Sequence, residues 1–403
     1  MRIAYVSDCY WPRVNGVTVA IQTYKDELKR RGHEVLILCP AYPSGNGSRG
    51  KEDSVKRLAS KSTPISKEDR LIKPTALPAM FRSLDRFKPD VIHMHSEFTA
   101  SWFGVLYSKL RGYPVVMTSH TDWEDYVCNY IPHVDRRLLR AAVRFLMRSI
   151  FGNADILVTP SQSQIRTLRR YHLRKRYVII PSGVSSIFTK RGAEEVAAYR
   201  ASLEARFPML AGKRILLFAG RIAEEKDPKF LLPVLAEIKK RHDDVALVFA
   251  GDGPGRQHVE ASAKRRGLDG SCAFLGYIGR EELSLLYATA AIFVFPSKTE
   301  TLGLCTIEAM SSGLPVVAVG EMGTRDVMKG DHGGFMVEND VGEFSAAALR
   351  LLDDEELRAQ KSEEAIAWAA RFGPDAMIDR ILRLYKVAAD RRAHVLKLRS
   401  GIL

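Results

Sequence analysis

Short β-branched runs alternate with helix-patterned stretches along nearly the whole chain, and this alternation constrains the fold more than any other feature. "RIAYVSD" leads into "VTVAIQTYKDELKRRG", whose apolar residues recur at helical spacing and whose basic end meets Gly32, a C-cap signal. "EVLILCP", "DVIHMH", "PVVMTSH", "DILVTPS" and "YVIIPSG" follow, with helical segments between most of them. After a joint near "SGVSSIFTKRGAEE", a second series runs through "KRILLFAGR", "DVALVFAGDG", "CAFLGY", "AIFVFPS" and "LPVVAVG". Strands separated by helices pair in parallel, with helices on both faces of the sheet. At 403 residues the chain exceeds one ordinary core. The expectation is an α/β protein of two Rossmann-like domains facing across a cleft. Their spans are residues 1–190 and 191–375, with a helical segment over 376–403 that packs back on the first domain. Residues 40–75 lack a clear period and are expected to form a mobile loop region.

Bulk properties narrow the function. Hydrophobic residues make up 46% and charged residues 27%, ordinary for globular material. No apolar run approaches the roughly 20 residues that span a bilayer. The opening "MRIAYVSDCYWP" reads as a strand rather than an export signal. The five cysteines, Cys9, Cys39, Cys128, Cys272 and Cys305, are scattered and never in C-x-x-C spacing. That pattern argues against a disulfide framework or a zinc site and fits a reducing cytoplasm. A formal charge of +14 points to an anionic partner: a phosphorylated substrate, a membrane surface or nucleic acid. Nucleic acid is the weakest of these, because no recognition module appears and the basic residues are not interleaved with stacking aromatics.

In parallel α/β sheets, ligands sit beyond the carboxyl ends of the strands. Candidate residues fall at such ends: Asn15 and Gly16 after the first strand, His120 closing "PVVMTSH", Arg221 closing "RILLFAGR", and Glu300 after "AIFVFPS". Gly16 precedes a helix and lets an anion approach its free N–H groups. Arg221 and Lys226, five apart in "GRIAEEKD", suit neutralisation of a diphosphate without a metal, and no Asp-x-Asp follows a strand there. Gly303 opens a further helix with room for close backbone contact. Glu308, about one and a half turns in, is placed to accept bonds from sugar hydroxyls, while Glu300 faces another part of the ligand. Other features read as structure. Gly251–Gly253 in "GDGPG" serve equally as a turn, His93 and His95 end a strand in packing or hydrogen-bonding roles, and the cysteines pack.

"ETLGLCTIEAMSSGLPVVA" with "FAGRIAEEKD" and the "NGV" loop resembles the retaining glycosyltransferases of family four, which have the two-Rossmann-domain B-type fold. The resemblance runs from residue 1 to about 375. It implies that Arg221 and Lys226 bind the donor diphosphate, that Gly16 approaches the phosphates, and that Glu308 binds the ribose. It also implies that Glu300 binds the transferred sugar, with Gly303 and Leu304 beside it, and that His120 stands near the reacting sugar. Tyr277 and Ile278 match the stretch that packs on the nucleotide base. The implied donor is a UDP-sugar, glucose on family grounds, and no metal or other cofactor is needed. Retention is expected: inversion would need a general base near the acceptor, and His120, the only strand-end residue to consider for it, is placed by the resemblance beside the donor sugar instead.

A narrower resemblance concerns the acceptor. "SHTDWEDYVCNYI", residues 119–131, is similar to a stretch of bacterial diacylglycerol glucosyltransferases, with Trp123 where those often have Tyr and a departure at Cys128–Tyr130. It implies a membrane-lipid acceptor, 1,2-diacylglycerol, contacted through Asp122, Trp123 and Tyr126. Asp122, Glu124 and Asp125 read equally as a solvated turn. In "RRLLRAAVRFLMRSIFG", Arg136, Arg140, Arg144 and Arg148 recur every four residues, with Leu139, Val143, Leu146, Met147 and Ile150 on the other side. That is the pattern of a basic amphipathic helix lying on an anionic lipid surface, and "ADRRAHVLKLRSGIL" is a second basic stretch. The expected enzyme is cytoplasmic and peripheral on the inner face of the cell membrane. The same core acting on a soluble sugar acceptor is the alternative.

Overall fold

The computed structural model describes residues 1–43, 53–63, 69–130, 134–173 and 175–399, without the side chains of residues 125, 129, 130 and 394–399. Parts of the 40–75 region, residue 131 of the acceptor stretch and the last four residues of the C-terminal basic stretch therefore lie outside the described residues. The chain divides into two compact units, one of Met1–Gly183 with the chain from Pro374, the other of Val184–Gly373. The first joint thus falls at Gly183 rather than near residue 190.

In the first unit the strands are β1 (Arg2–Val6), β2 (Glu34–Pro40), β3 (Val55–Leu58), β4 (Ser60–Ser62), β5 (Arg70–Ile72), β6 (Val91–Met94), β7 (Val115–Thr118), β8 (Ile156–Thr159) and β9 (Tyr177–Ile179). Seven of them form a parallel sheet in the order β3-β2-β1-β6-β7-β8-β9, and β4 pairs antiparallel with β5. The expectation of a structureless 40–75 region is corrected here. β3 extends the main sheet at its edge and β4–β5 form a separate small ladder, although Lys56 and Arg57 give β3 no apolar period.

The two-residue period of the strands builds two cores. Ala4, Val6, Leu36 and Leu38 point into one cluster, and Ile3, Tyr5, Val35 and Ile37 into the other. Helices Leu77–Phe87, Thr99–Arg111 and Arg136–Phe151 cover the first cluster through Met80, Val105, Val143 and Met147. Helices Gly16–Arg30 and Pro374–Arg399 cover the second through Ile21, Leu28, Ile381 and Tyr385. Arg31 is tied to Asp375 at 2.8 Å and also bonds Asp379, fastening the last helix to the first.

The second unit holds β10 (Arg214–Ala219), β11 (Val245–Ala250), β12 (Cys272–Gly276), β13 (Ile292–Phe295), β14 (Val316–Val319) and β15 (Gly334–Val337). All pair in parallel in the order β12-β11-β10-β13-β14-β15. This is the strand order of a dinucleotide-binding sheet, whose ligand crevice lies where the order reverses. The reversal falls between β10 and β13 here and between β1 and β6 in the first unit.

Candidate active site

Two loops meet at the second unit's reversal point. The loop after β10 carries Arg221 and then a 3₁₀ turn, Glu224–Lys226, stopped by left-handed Asp227 and Pro228. The loop after β13 carries Ser297, Thr299 and Glu300. Lys226 Nζ donates to Glu300 Oε1, Ser297 Oγ donates to the same oxygen at 2.8 Å, and Thr299 Oγ1 donates to the Glu225 carbonyl at 3.0 Å. Burial works against the Lys226 charge, but Glu300, helped by Glu225, outweighs it and holds the ammonium above its usual range. Arg221 Nη1 lies 3.7 Å from Glu225 Oε1. The structure thus joins two residues, Lys226 and Glu300, that sequence spacing alone kept apart.

Gly303, at φ +88°, turns the chain into helix Leu304–Ser311 without any side-chain cap. Its position suits glycine, and the helix start presents free N–H groups as an anion seat. The Gly323 amide donates to the Glu300 carbonyl at 2.7 Å and fixes the loop before that start. Leu304 packs half-buried on the second unit's core, as does Ile278, while the Tyr277 side chain stands 54% exposed. Glu308 is 4% exposed. Arg280 Nη1 lies 3.3 Å from its Oε1, and the Tyr287 hydroxyl donates to its Oε2 at 3.5 Å. Burial pushes the Glu308 carboxyl up, with Arg280 and Tyr287 partly offsetting it. Arg280 and Tyr287 were missed in the sequence, where only Tyr277 and Ile278 of this stretch were singled out. Gly251 and Gly253 are structural: a Cβ there would meet the Gly220 carbonyl oxygen at 2.0 Å and the Ile222 oxygen at 2.4 Å. They let β11 press against the loop that carries Arg221.

In the first unit Asn15 caps helix Gly16–Arg30 by accepting from the Thr18 amide at 2.9 Å, leaving Gly16 exposed at the helix start. Strand alternation places His93 and His95 on one side of β6, rings 4.1 Å apart. The Tyr385 hydroxyl donates to Tyr5 at 3.1 Å, so it accepts from His93 Nδ1 at 2.7 Å. His93 Nε2 then accepts from the Thr118 hydroxyl, also at 2.7 Å. His95 Nδ1 lies 3.0 Å from His120 Nε2, and the two rings stack 24° from parallel. His95 Nε2 is buried without a hydrogen-bond partner. An orphaned acceptor costs less than an orphaned N–H, so His95 donates from Nδ1 and His120 keeps its proton on Nδ1. Burial lowers His120 to about 4 and His93 to about 3, and takes His95 well below its usual range. All three rings are therefore expected to stay neutral between pH 5 and 8, with His120 as the Nδ1–H tautomer. Nitrogen-15 NMR of labelled histidine checks both; an Nε2–H signal for His120, or a midpoint near 6.5, would refute the assignment. Glu97, two residues beyond His95, is 2% exposed, and burial raises its carboxyl to about 8.

The acceptor stretch is braced internally. Asp122 takes the Glu124 amide at 3.1 Å on one oxygen, and Thr167 and Arg170, each at 2.9 Å, on the other. Its carboxylate sits at the start of helix Trp123–Tyr130 and is buried among these partners. Trp123 packs edge-on against Phe98 at 4.7 Å and Tyr126 at 5.3 Å, and the Tyr126 hydroxyl reaches Asp69 at 3.4 Å. Glu124, 3% exposed, receives a two-pronged bond from Arg144, both distances 2.9 Å. Arg144 is therefore a brace between two helices, not a free member of the arginine stripe. Arg136, Arg140 and Arg148 remain exposed.

The family model of the glycosyl transferases group 1 matches residues 203–368, and that of Glycosyltransferase Family 4 matches residues 14–186. An alpha-monoglucosyldiacylglycerol synthase of Streptococcus pneumoniae is 30% identical over 79% of this chain and 71% of its own length. The chain is a family 4 glycosyltransferase. A GDP-mannose-dependent alpha-mannosyltransferase of Mycolicibacterium smegmatis is 29% identical to this glycosyltransferase over 98% of the chain and 99% of its own length. Anabaena HepE, solved in complex with UDP-glucose, superposes with a TM-score of 0.73 at 18% identity, covering 96% of this chain and all of that one. The fold of this hexosyltransferase is the glycosyltransferase B type.

Proposed function

We propose that this glycosyltransferase moves glucose, with retention, from UDP-glucose to 1,2-diacylglycerol and so forms an α-glucosyl diacylglycerol. One observation carries the reading: the Lys226–Glu300 pair sits at the β10/β13 reversal beside the open helix start at Gly303, in a chain 30% identical to an alpha-monoglucosyldiacylglycerol synthase. Arg221, Lys226 and the N–H groups at Gly303 and Leu304 take the diphosphate charge, which grows as the sugar–phosphate bond breaks. Glu308, oriented by Arg280 and Tyr287, accepts from the ribose hydroxyls. Tyr277 and Ile278 lie against the base. Glu300 accepts from the transferred sugar, and His120 of the first unit serves as a neutral imidazole. The enzyme works as a peripheral protein on the inner face of the cell membrane. Among the described residues no helix is long and apolar enough to cross a membrane.

The deciding experiment incubates the enzyme with UDP-glucose, UDP-galactose and GDP-mannose, each with diacylglycerol in vesicles, followed by product analysis. Glucosyl diacylglycerol with an α anomeric coupling in the proton NMR spectrum is expected; a β coupling would remove retention. A second reading, transfer of mannose from GDP-mannose, is supported by the nearly full-length likeness to the mannosyltransferase, and mannosyl product would favour it. The rate is expected to persist in EDTA, because arginine, lysine and helix N–H groups supply the charge. A rate that vanishes in EDTA and returns with magnesium or manganese would overturn that assignment.

A further inference from the structure

Seven of the twelve large apolar side chains that the described residues leave exposed belong to two neighbouring segments of the first unit. Trp102, Leu106 and Leu110 are 38%, 43% and 62% exposed and recur every four residues along helix Thr99–Arg111. Leu138 and Phe145, 70% and 76% exposed, lie seven apart on helix Arg136–Phe151, flanked by Leu146 and preceded by Val134. Both helices pack on the same core cluster, and Lys109 Nζ donates to Asn153 Oδ1 at 2.5 Å, linking the end of one to the residues just after the other. The second helix therefore differs from the simple two-sided expectation. Val143, Met147, Ile150 and Phe151 are buried. At about 100° per residue, Leu138 and Phe145 occupy its solvent pole and Arg137 and Arg148 lie on one flank, while Arg136 and Arg140 fall nearer the core-facing side. Leu146 belongs to the exposed surface, not to the core.

Charge separates the occupants such a face could take. Neither helix contains an aspartate or a glutamate; Lys109 stands beside the ridge of the first, Arg137 and Arg148 flank that of the second, and Arg111 is paired with Asp85 at 3.1 Å. Ordinary surfaces intersperse both signs, and an exposed apolar patch of this kind marks an interaction site. A second copy meeting this face about a twofold axis would set the cations against themselves. An anionic bilayer supplies both complements, phosphate groups for the arginines and an acyl boundary for the ridges.

We propose that helices Thr99–Arg111 and Arg136–Phe151 together form a lipid-docking face, with Trp102, Leu106, Leu138 and Phe145 inserted at the acyl boundary and the flanking arginines on phosphate headgroups. The proposal deepens the lipid-acceptor reading, yet it is tested by binding rather than by transfer, so the two can fail separately. The probe is a set of vesicles of phosphatidylglycerol with phosphatidylcholine, and of phosphatidylcholine alone, in sedimentation at 0.05 and 0.5 M salt. The pairs Trp102→Gln/Leu106→Gln and Leu138→Gln/Phe145→Gln are each expected to weaken partitioning at least tenfold at both salt concentrations. The double variant Arg137→Gln/Arg148→Gln loses its advantage on phosphatidylglycerol and keeps the weaker salt-resistant binding. Leu138 and Phe145 are 70% and 76% exposed, so that pair should keep the parent's melting temperature, and an unchanged affinity for UDP-sugar confirms intact folding in every variant. Vesicle binding equal to the parent's in both apolar pairs overturns the proposal. So does a concentration-dependent dimer that these pairs dissociate while vesicle binding stays unchanged. Failure of the parent to glucosylate diacylglycerol, with vesicle binding still lost in the apolar pairs, would overturn the acceptor reading and leave the docking face standing.

Discussion

Replacing Lys226 by Ala is expected to lower kcat by about 10²–10³-fold, the usual effect of deleting one preorganised charge partner of a developing anion. Lys226 is held by Glu300 at the reversal point between β10 and β13, so its ammonium is fixed in place before any ligand binds. Its raised pKa keeps it charged throughout the working pH range, since loss of the proton would come only above the ordinary lysine value. Negative charge on the nucleotide leaving group grows toward the transition state, so this contact strengthens as the reaction proceeds and acts on kcat rather than on binding alone. Arg221→Ala should act in the same direction, since Arg221 leads out of the same strand. One complication has a built-in control. Without Lys226, Glu300 keeps only Ser297 among the partners described for its carboxylate, so part of the loss would come from a misplaced Glu300. Lys226→Arg preserves the charge and the Glu300 contact and should recover part of the rate. Steady-state kinetics on the three variants reads this directly. A kcat within twofold of the parent in both alanine variants would sink the diphosphate assignment.

How far the sequence reaches depends on what kind of contact is being read. The buried parallel strands were legible because both faces are covered, which makes runs such as "VALVFA" and "IFVF" nearly continuous in apolar residues. β15 escaped because "GFMV" is short and opens on a glycine, and β3 escaped because "VKRL" is an edge strand with two charged residues. In the candidate site, the residues on strand-end loops were legible because loop position and residue type suffice. Their supports were not. Arg280 and Tyr287 reach Glu308 across more than twenty positions, and Arg144 finds Glu124 twenty positions away. No local period carries that information. The helix Arg136–Phe151 shows the limit most clearly. Its sequence offers two apolar faces, one through Val143 and Met147 and one through Leu138 and Phe145, and only packing against the sheet selects which is buried.

Glu308→Ala tests that hidden support, and its stability and binding effects separate cleanly. Removing one member of a buried ion pair typically costs about 3–5 kcal/mol, because the partner is left charged without compensation. Here the Arg280 side chain is 27% exposed, and its Nη2 is buried without a hydrogen-bond partner. Water can therefore reach part of the guanidinium, and the expected cost falls to about 2 kcal/mol after that allowance. For a unit of this size each kcal/mol moves the melting temperature by about 2–4 °C, so a fall of about 4–8 °C is expected. Glu308→Gln keeps Oε1 as an acceptor for Arg280 and turns an N–H toward the Tyr287 hydroxyl, and should lose less. The functional half is read by adding UDP, the proposed leaving nucleotide. A ligand at 100 times its dissociation constant stabilises the folded chain by about 2.7 kcal/mol, which the parent should show as a clear upward shift in melting temperature. In Glu308→Ala that shift should shrink to near nothing at the same UDP concentration, because the acceptor for the ribose hydroxyls is gone. An undiminished UDP shift in a variant that melts several degrees low would leave Glu308 as the anchor of Arg280 and remove it from the nucleotide site.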